Sequence, residues 1–227
     1  MSWSYVSDVS SYSEIVERFA RLGASIYQTD PLQHYVSIGR NAKRPLEPGF
    51  IPVEKPARVV TVSFYPNESE LSSPEYRASR QSFDAWGRSG DVDTYKRAYA
   101  DWLGVLPQIP FYRDFNLPIF APLNIGANDF AWLPLVKCPL PARSKIDDYD
   151  VWRDRVLLWD QLSMLRPPVI LAQGLDAYNV VRDMCEDKFS HRIVLQKIGR
   201  VGTTAFHAAE DQRVISELHD ALEPSRA

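Results

Sequence analysis

The chain has 227 residues, of which 45% are hydrophobic and six are tryptophan, and its formal net charge is −3. This length and composition indicate one globular domain with a sizeable core. No apolar stretch approaches the roughly 20 residues that a membrane span requires, and the acidic balance gives no global electrostatic argument for nucleic-acid binding.

Cysteine and histidine usage narrows the chemistry. Only Cys138 and Cys185 occur, and they cannot supply a four-cysteine zinc or iron–sulfur site. Such sparse use predicts a reducing, cytoplasmic setting, and residues 1–14 lack the charged and apolar regions of a secretory signal. The four histidines stand in neither HxH nor HxxxH spacing, so we expect no metal.

Nucleotide and hydrolase motifs are missing from the sequence. GxGxxG and GxxxxGKS/T do not occur, which argues against a Rossmann-type or P-loop enzyme. GxSxG does not occur either, which argues against a serine hydrolase. We therefore expect no cofactor.

Residues 1–56 are expected to form an N-terminal helix and a wrapping loop. Ser13 precedes an amphipathic pattern that stops at Gly23, which predicts a short helix with a glycine cap. Residues 28–56 are rich in proline and predict an irregular segment. A loop of this length is usually functional or wraps its domain.

The α/β core is expected over residues 57–222. The run VVTVSFY over residues 59–65 predicts the first strand. The Ser-Pro-Glu of residues 73–75 combines a cap residue, a first-turn proline and an acid, which predicts a helix to about Trp86. Asp91 then predicts the cap of a second helix through Leu103.

The second half of the chain alternates strands with helices. Apolar runs predict strands over residues 130–136, 169–172 and 193–198. Apolar strands separated by helices favour a parallel sheet with helices on both faces. The sequence therefore predicts a single domain, residues 1–227, with a three-layer α/β/α fold around a central, mostly parallel sheet of about four strands.

The helices of this half have clear boundaries. Asp147 and Asp148 predict the start of a helix that ends before Pro167. A wide apolar face is expected on this helix, made by Val151, Trp152, Arg155, Val156, Leu158, Trp159 and Leu162. A second helix is expected to follow Gly174, and a final amphipathic helix is expected over residues 208–222.

The first strand breaks at the Pro-Asn-Glu-Ser of residues 66–69. Pro66 ends the strand, because its φ is fixed and it donates no backbone hydrogen bond. Asn67, Glu68 and Ser69 then place an amide, a carboxylate and a hydroxyl just past the strand. Ligands of open α/β sheets bind beyond the carboxyl ends of the strands, so this tip is the main candidate site. An ordinary polar loop is the alternative, because Asn and Ser favour turns.

Three stretches, residues 31–46, 130–146 and 188–209, contain no Asp or Glu. An acidic protein with one basic face still binds phosphates, because affinity follows local contacts. We expect these stretches to converge on one rim at the strand tips, with chance clustering in loops as the alternative. The cations expected at the rim are Arg40, Lys43, Lys137, Arg143, Lys197 and Arg200.

Three segments together resemble the uracil-DNA glycosylase superfamily. Residues 59–70 (VVTVSFYPNESE) resemble its first motif, a strand and short proline turn where the catalytic water is positioned. Residues 130–139 (FAWLPLVKCP) are similar to the next strand, which in many members runs into VKC and a proline. Residues 169–177 (VILAQGLDA) resemble the strand, glycine and helix that follow. Residues 193–222 then fall where the family places a histidine-bearing loop that inserts into DNA.

The sequence departs from the family pattern in two places. The family usually carries an Asp, Glu or Asn close before or at the proline, whereas Ser63, Phe64 and Tyr65 precede Pro66 here. The loop histidine followed by Pro-Ser is not reproduced, and His207 comes further on. Either the base being removed is unusual or catalysis has been lost.

The resemblance implies catalytic roles for three residues. Asn67 or Glu68 would hold or activate the water, and His207 would stabilise charge on the leaving base. A solvated turn carboxylate is the alternative for Glu68, and a helix cap is the alternative for His207.

The resemblance also implies contacts to DNA. Phe64, Tyr65 and Pro66 would line the pocket for the flipped base, with core packing as the alternative for Phe64. Asn128 would read the edge of the base, with Asn124 as a second candidate. The phosphate contacts would come from Lys137, Arg143, Lys197 and Arg200, for which exposed strand ends are the alternative.

The implied function is that of a monofunctional DNA glycosylase that excises a damaged or modified base without metal or cofactor. We favour a modified pyrimidine, such as those of phage DNA, over plain uracil, in DNA repair or antiviral defence. The expected partner is DNA, with no membrane, and the protein is expected to be a monomer. The alternative is a catalytically inactive DNA-binding or protein-interaction module on the same fold.

Overall fold

A four-stranded, all-parallel sheet forms the centre of the computed structural model, which describes residues 11–38, 45–64, 74–140, 146–185, 192–197 and 204–223. The strand order is β2-β1-β3-β4, and each neighbouring pair is parallel. This confirms the predicted α/β fold with a central parallel sheet. The strands are β1 (Val59–Ser63), β2 (Phe130–Pro134), β3 (Val169–Gln173) and β4 (Arg192–Gln196).

Helices cover both faces of the sheet. The described helices are α1 (Tyr12–Gln28), α2 (Pro31–His34), α3 (Pro74–Ser89), α4 (Val92–Val105), α5 (Leu117–Phe120), α6 (Asp148–Leu165), α7 (Leu175–Cys185) and α8 (Thr204–Leu222). A π-helical turn, Tyr112–Asn116, leads directly into α5. Because crossovers between parallel strands are right-handed, the β1–β2 connection and the β3–β4 connection lie on opposite faces.

Local signals in the sequence explain several boundaries. Asp91 accepts hydrogen bonds from the backbone N–H groups of Asp93 and Thr94 at 2.9 and 3.0 Å and so caps α4, as predicted. Asp147 caps α6 in the same way, accepting from Asp150 N at 3.0 Å. Helix α3 begins at Pro74, as predicted.

Gly23 does not end α1, and the predicted glycine cap was wrong. The helix continues to Gln28. A Cβ at Gly23 would lie 2.3 Å from the indole ring of Trp86. Gly23 is therefore required for the close approach of α3 to α1, and the helix passes through it because contacts with the core outweigh its low helix propensity.

The aromatic side chains between α1, α3 and α4 form the largest part of the core on this side of the molecule. Phe50 stacks on Trp102 with ring centroids 4.8 Å apart, and Trp86 Nε1 donates to the carbonyl of Ala20 at 3.0 Å. Tyr95 is fully buried and donates to the carbonyl of Ile51 at 2.6 Å. The indole N–H and phenol O–H thus find partners without leaving the core.

The buried side of α6 differs from the prediction. Trp152 and Val156 are 59% and 47% exposed, whereas the carboxylates of Asp150 and Asp154 are fully buried. Asp150 accepts from the backbone N–H groups of Val36 and Ser37 at 3.0 and 2.7 Å. Leu158 and Leu162 of the predicted apolar face are buried, so the apolar pattern identified part of the buried side and missed the carboxylates that hold the loop.

No helix in the described part of the chain is long and apolar enough to cross a membrane.

Candidate functional site

Strands β1 and β3 lie side by side at the centre of the sheet, and their connections leave in opposite directions. From β1 the chain moves outward to β2, and from β3 it moves to β4 on the other side. In open parallel sheets this reversal leaves a crevice at the carboxyl ends of the two strands, where ligands bind. The candidate site therefore lies beyond Ser63 and Gln173.

The last residues of the four strands form one row across this edge. Ser63 is in register with Pro134 on β2 and with Gln173 on β3, and Gln173 is in register with Gln196 on β4. Residues in register on parallel strands place their side chains on the same face. We call Ser63, Gln173 and Gln196, together with Asn116, the polar row.

Side-chain amides connect the polar row through buried hydrogen bonds. Gln173 Nε2 donates to Asn116 Oδ1 at 2.6 Å and to Gln196 Oε1 at 2.9 Å. Gln196 Nε2 donates to the backbone carbonyl of Phe115 at 3.1 Å. The exposed fractions are only 3% for Gln173 and 2% for both Gln196 and Asn116. Buried amides with defined partners hold fixed orientations.

The carbonyl oxygen of Gln173 has no hydrogen-bond partner among the described residues. Such an atom is unusual, because more than about nine in ten buried polar groups in folded proteins are satisfied. Leaving a buried acceptor unpaired costs on the order of 1–3 kcal/mol. The unpaired oxygen makes Gln173 a candidate for contact with a ligand.

Asn116 reaches the polar row from the π-helical turn. This turn spans Tyr112–Asn116 and ends directly before α5. Single π-helical turns are rare and frequently occur at functional sites.

Ser63 and Gly174 flank Gln173 at the strand tips. The Ser63 hydroxyl accepts from Trp132 Nε1 at 3.1 Å. Gly174 has φ of +96°, and among the described residues nothing lies within 4 Å of the position that a Cβ would occupy. Its N–H donates to the carbonyl of Gln196 at 2.9 Å, which ties the β3 turn to β4. The sheet edge is thus fixed on both sides of Gln173.

Two charged side chains of helix α8, Glu210 and Arg213, bind backbone groups at the end of β4. Glu210 accepts from the backbone N–H of Lys197 at 2.8 Å, and Arg213 binds Glu210 at 2.6 Å and the carbonyl of Leu195 at 2.5 Å. The hydrogen bond from Arg213 lowers the pKa of Glu210, and the bond from Lys197 N adds to this against the effect of burial. Glu210 therefore stays ionised and keeps the tip of β4 in place.

Several predicted site residues lie at this edge. Phe64 directly follows β1, is half-buried and packs against the core, and its carbonyl accepts from Val136 N at 2.7 Å. Lys197 is exposed directly after β4. His207 lies in the first turn of α8, and the structure describes its backbone only.

Other predicted site residues lie outside the described residues. These are Arg40, Lys43, Tyr65, Pro66, Asn67, Glu68, Arg143 and Arg200.

The predicted place of Lys137 on an exposed rim was wrong. Its side chain is fully buried, and Nζ donates to the carbonyl of Pro134 at 2.5 Å and to Gln161 Oε1 at 2.7 Å. Its backbone N–H donates to Asp154 Oδ2 at 3.0 Å, and Asp154 also bonds His34 at 2.7 Å. Lys137 thus belongs to a buried polar network that joins α6 and the N-terminal loop to the residues after β2, where no phosphate reaches it.

Asn128 is also misplaced as a base reader. It precedes β2 in the short helical turn Ala127–Asp129, and Tyr99 donates to its side chain at 3.3 Å. The five residues of β2 then run about 16 Å to the opposite edge of the sheet. Asn124 lies still earlier, where its carbonyl accepts from Arg58 at 3.0 Å. Neither asparagine reaches a base held beside Phe64.

The polar row was missed, although the sequence carries a signal for it. VTVS, VILAQ and RIVLQ each end an apolar strand on a polar residue. Strand ends with polar side chains meet at one edge when the strands are parallel. Asn116 had no comparable signal, because its position depends on the π-helical turn.

Within the described residues, no group of three or more His, Cys, Asp and Glu side chains is arranged to hold a metal ion. A shallow groove elsewhere, lined by Arg21, Gln28 and Gly90 among others, involves no residue of the sheet edge. The polar row is therefore the better candidate site.

No protein-family model matches the chain, and a search of curated proteins found no significant match.

Proposed function

We propose that the protein is a DNA glycosylase that flips out a modified base and hydrolyses its N-glycosidic bond, leaving an abasic site. A modified pyrimidine, such as those of phage DNA, is favoured over plain uracil. The activity would serve DNA repair or antiviral defence. A cytoplasmic setting fits two buried cysteines that form no disulfide.

The observation that carries this proposal is the arrangement of the three segments that resemble the glycosylase superfamily. Each contributes one strand of the sheet and the residues beyond its carboxyl end, and the first and third are neighbours at the central crevice. Motifs that are far apart in the sequence thus converge on one edge.

The chemistry follows from what this edge offers. In the proposed hydrolysis, a water oxygen bonds to the sugar C1′ while the bond from C1′ to the base breaks, and the base leaves with a proton. Glu68 or Asn67 would orient the water and stabilise positive charge on the sugar. His207, near the start of α8, would stabilise negative charge on the leaving base.

Binding of the flipped nucleotide uses the groups around the crevice. Half-buried Phe64 would offer a stacking surface, with Tyr65 and Pro66 beside it. Exposed Lys197, with Arg200 and Arg143, would contact phosphates and position the strand without reading sequence. Lys137 and Asn128 have no part in this scheme.

A binding module without catalysis is the second candidate. It is favoured by the first motif, in which Ser63, Phe64 and Tyr65 occupy the positions before Pro66 where the family usually has its water-holding side chain. Such a module would bind DNA and release no base.

The test is an abasic-site assay on oligonucleotides that carry uracil, damaged bases or phage-type modified pyrimidines. We expect strand cleavage after alkali treatment on at least one modified substrate, and a loss of about 100-fold or more in rate for Glu68→Gln. Glu54→Gln is the matched control, because Glu54 is exposed before β1, at the opposite edge. Tight DNA binding with no abasic product on any substrate would favour the binding module.

A further inference from the structure

We propose that Gln173 determines which base the site accepts, and that its carbonyl oxygen takes a hydrogen bond from an N–H group of a pyrimidine. This inference rests on the proposed function, since it assumes that the ligand is a flipped base. It adds a residue outside the predicted site and a chemical requirement on the substrate.

A backbone carbonyl fixes the orientation of the Gln173 amide. The Phe115 carbonyl only accepts, so the side chain of Gln196 must present its Nε2 to it, at 3.1 Å. Gln196 then presents Oε1 to Gln173, which must answer with Nε2, at 2.9 Å. The orientation of both amides is therefore set, and Gln173 Oε1 remains as the acceptor that is left over.

The remaining oxygen is buried and lies on the β1 side of the Gln173 amide. Its amide nitrogen is turned toward β4 and Asn116, and the oxygen lies on the other side of the amide carbon. On that side Gln173 is in register with Ser63 of β1, one strand spacing or about 4.8 Å away.

Ser63 completes a pattern that a pyrimidine matches. Its hydroxyl accepts from Trp132 Nε1 and still carries one proton to donate. Gln173 thus offers an acceptor and Ser63 a donor on adjacent strands. A pyrimidine edge presents the complementary pair, such as the N3–H and a neighbouring carbonyl of uracil-type bases.

The unpaired oxygen gives discrimination as well as affinity. A base with an N–H at this position satisfies the buried oxygen, whereas a base with a methyl group there leaves it unpaired. We expect a preference of roughly tenfold to a hundredfold for the N–H form.

The experiment is a thermodynamic cycle between the protein and the base. Binding of oligonucleotides that carry 5-hydroxymethyluracil or its N3-methyl derivative is measured by fluorescence anisotropy for the wild type and for Gln173→Leu. We expect N3-methylation to weaken binding by the wild type roughly tenfold to a hundredfold and to leave binding by Gln173→Leu unchanged. Gln28→Leu, which alters a glutamine at the end of α1, should behave as the wild type.

Further arms keep the outcome decisive. If Gln173→Leu does not fold, Gln173→Asn withdraws the oxygen by one methylene and should lose the same preference. Equal methylation penalties in wild type and variant, or no penalty in the wild type, would overturn the inference.

The binding readout also separates this inference from the proposed function. A penalty that depends on Gln173, without abasic product, supports the inference and refutes the glycosylase. Excision with an unchanged base preference in the variant refutes the inference and keeps the glycosylase. If the wild-type protein binds neither oligonucleotide, the oxygen of Gln173 is satisfied by water only, and both proposals fall.

Discussion

Lys137 carries a buried ammonium group that packs against α6. A buried ammonium is costly unless its hydrogen bonds are made, and here the carbonyl of Pro134 and Gln161 Oε1 accept from it. Burial lowers the pKa of Lys137 to about 7, and the Asp154 carboxylate opposes part of this shift. The neutral and charged forms are therefore both accessible near neutral pH.

This shift predicts a specific pH dependence of stability. Between pH of about 7 and 10.5 the folded state binds fewer protons at this site than the unfolded state, so the free energy of unfolding should rise with pH. In Lys137→Met this contribution should be absent. Urea unfolding across this pH range measures the difference, and Lys96→Met, at an exposed position on α4, is the control. An identical slope for Lys137→Met and the wild type would contradict the assignment.

At the scale of elements, α6 connects the N-terminal loop to the domain. The backbone N–H groups of Val36 and Ser37 donate to the Asp150 carboxylate, and the hydroxyl of Ser37 donates to Asp150 Oδ2 at 2.5 Å. Burial raises the pKa of Asp150, but the bonds from Ser37 and Val36 outweigh it and lower the pKa overall. The stabilisation is therefore present above the unfolded pKa and is lost as pH falls through the lower folded pKa.

Removing this carboxylate should detach the loop. We expect Asp150→Ala to cost about 3 kcal/mol at neutral pH, because three donors lose a charged acceptor. Asp148→Ala, on the exposed side of the same helix, should cost less than about 1 kcal/mol. Urea unfolding midpoints compare the two. Equal effects would show that Asp150 does not hold the loop.

Sequence patterns were reliable for elements that are determined by local composition rather than by contacts with distant residues. Strands β1 and β3 are largely apolar runs that are buried in the centre of the sheet, so local composition identifies them. The end of α1 and the buried face of α6 depend on Trp86 and on the loop at Val36, which are distant in the sequence. The polar row depends on strand register and on the turn at Asn116, so only the structure brings it together.

Across the whole molecule, fewer cations are available to form the basic rim than the sequence indicated. Lys137 is inside the protein, while Lys197 is exposed at the carboxyl end of β4. The proposed DNA surface therefore centres on the tip of β4 and on the residues that follow it.

This surface predicts a salt effect. Each phosphate contact contributes about −0.9 to the slope of log affinity against log salt. The double variant Lys197→Ala/Arg200→Ala should weaken binding to every sequence alike and flatten the slope by up to about two units. Lys96→Ala/Arg97→Ala removes the same charge from an exposed part of α4 and should leave the slope unchanged. A flattened slope in the control, or none in the first variant, would place DNA elsewhere.

We propose that this sheet edge releases a base from DNA. Its most direct test is mass spectrometry of the wild-type protein incubated with an oligonucleotide that carries 5-hydroxymethyluracil or another phage-type pyrimidine. We expect two products in equal amounts, the free modified base and a strand of unchanged length that has gained an abasic site. An unmodified strand and no free base, from protein that binds the same oligonucleotide, would contradict it.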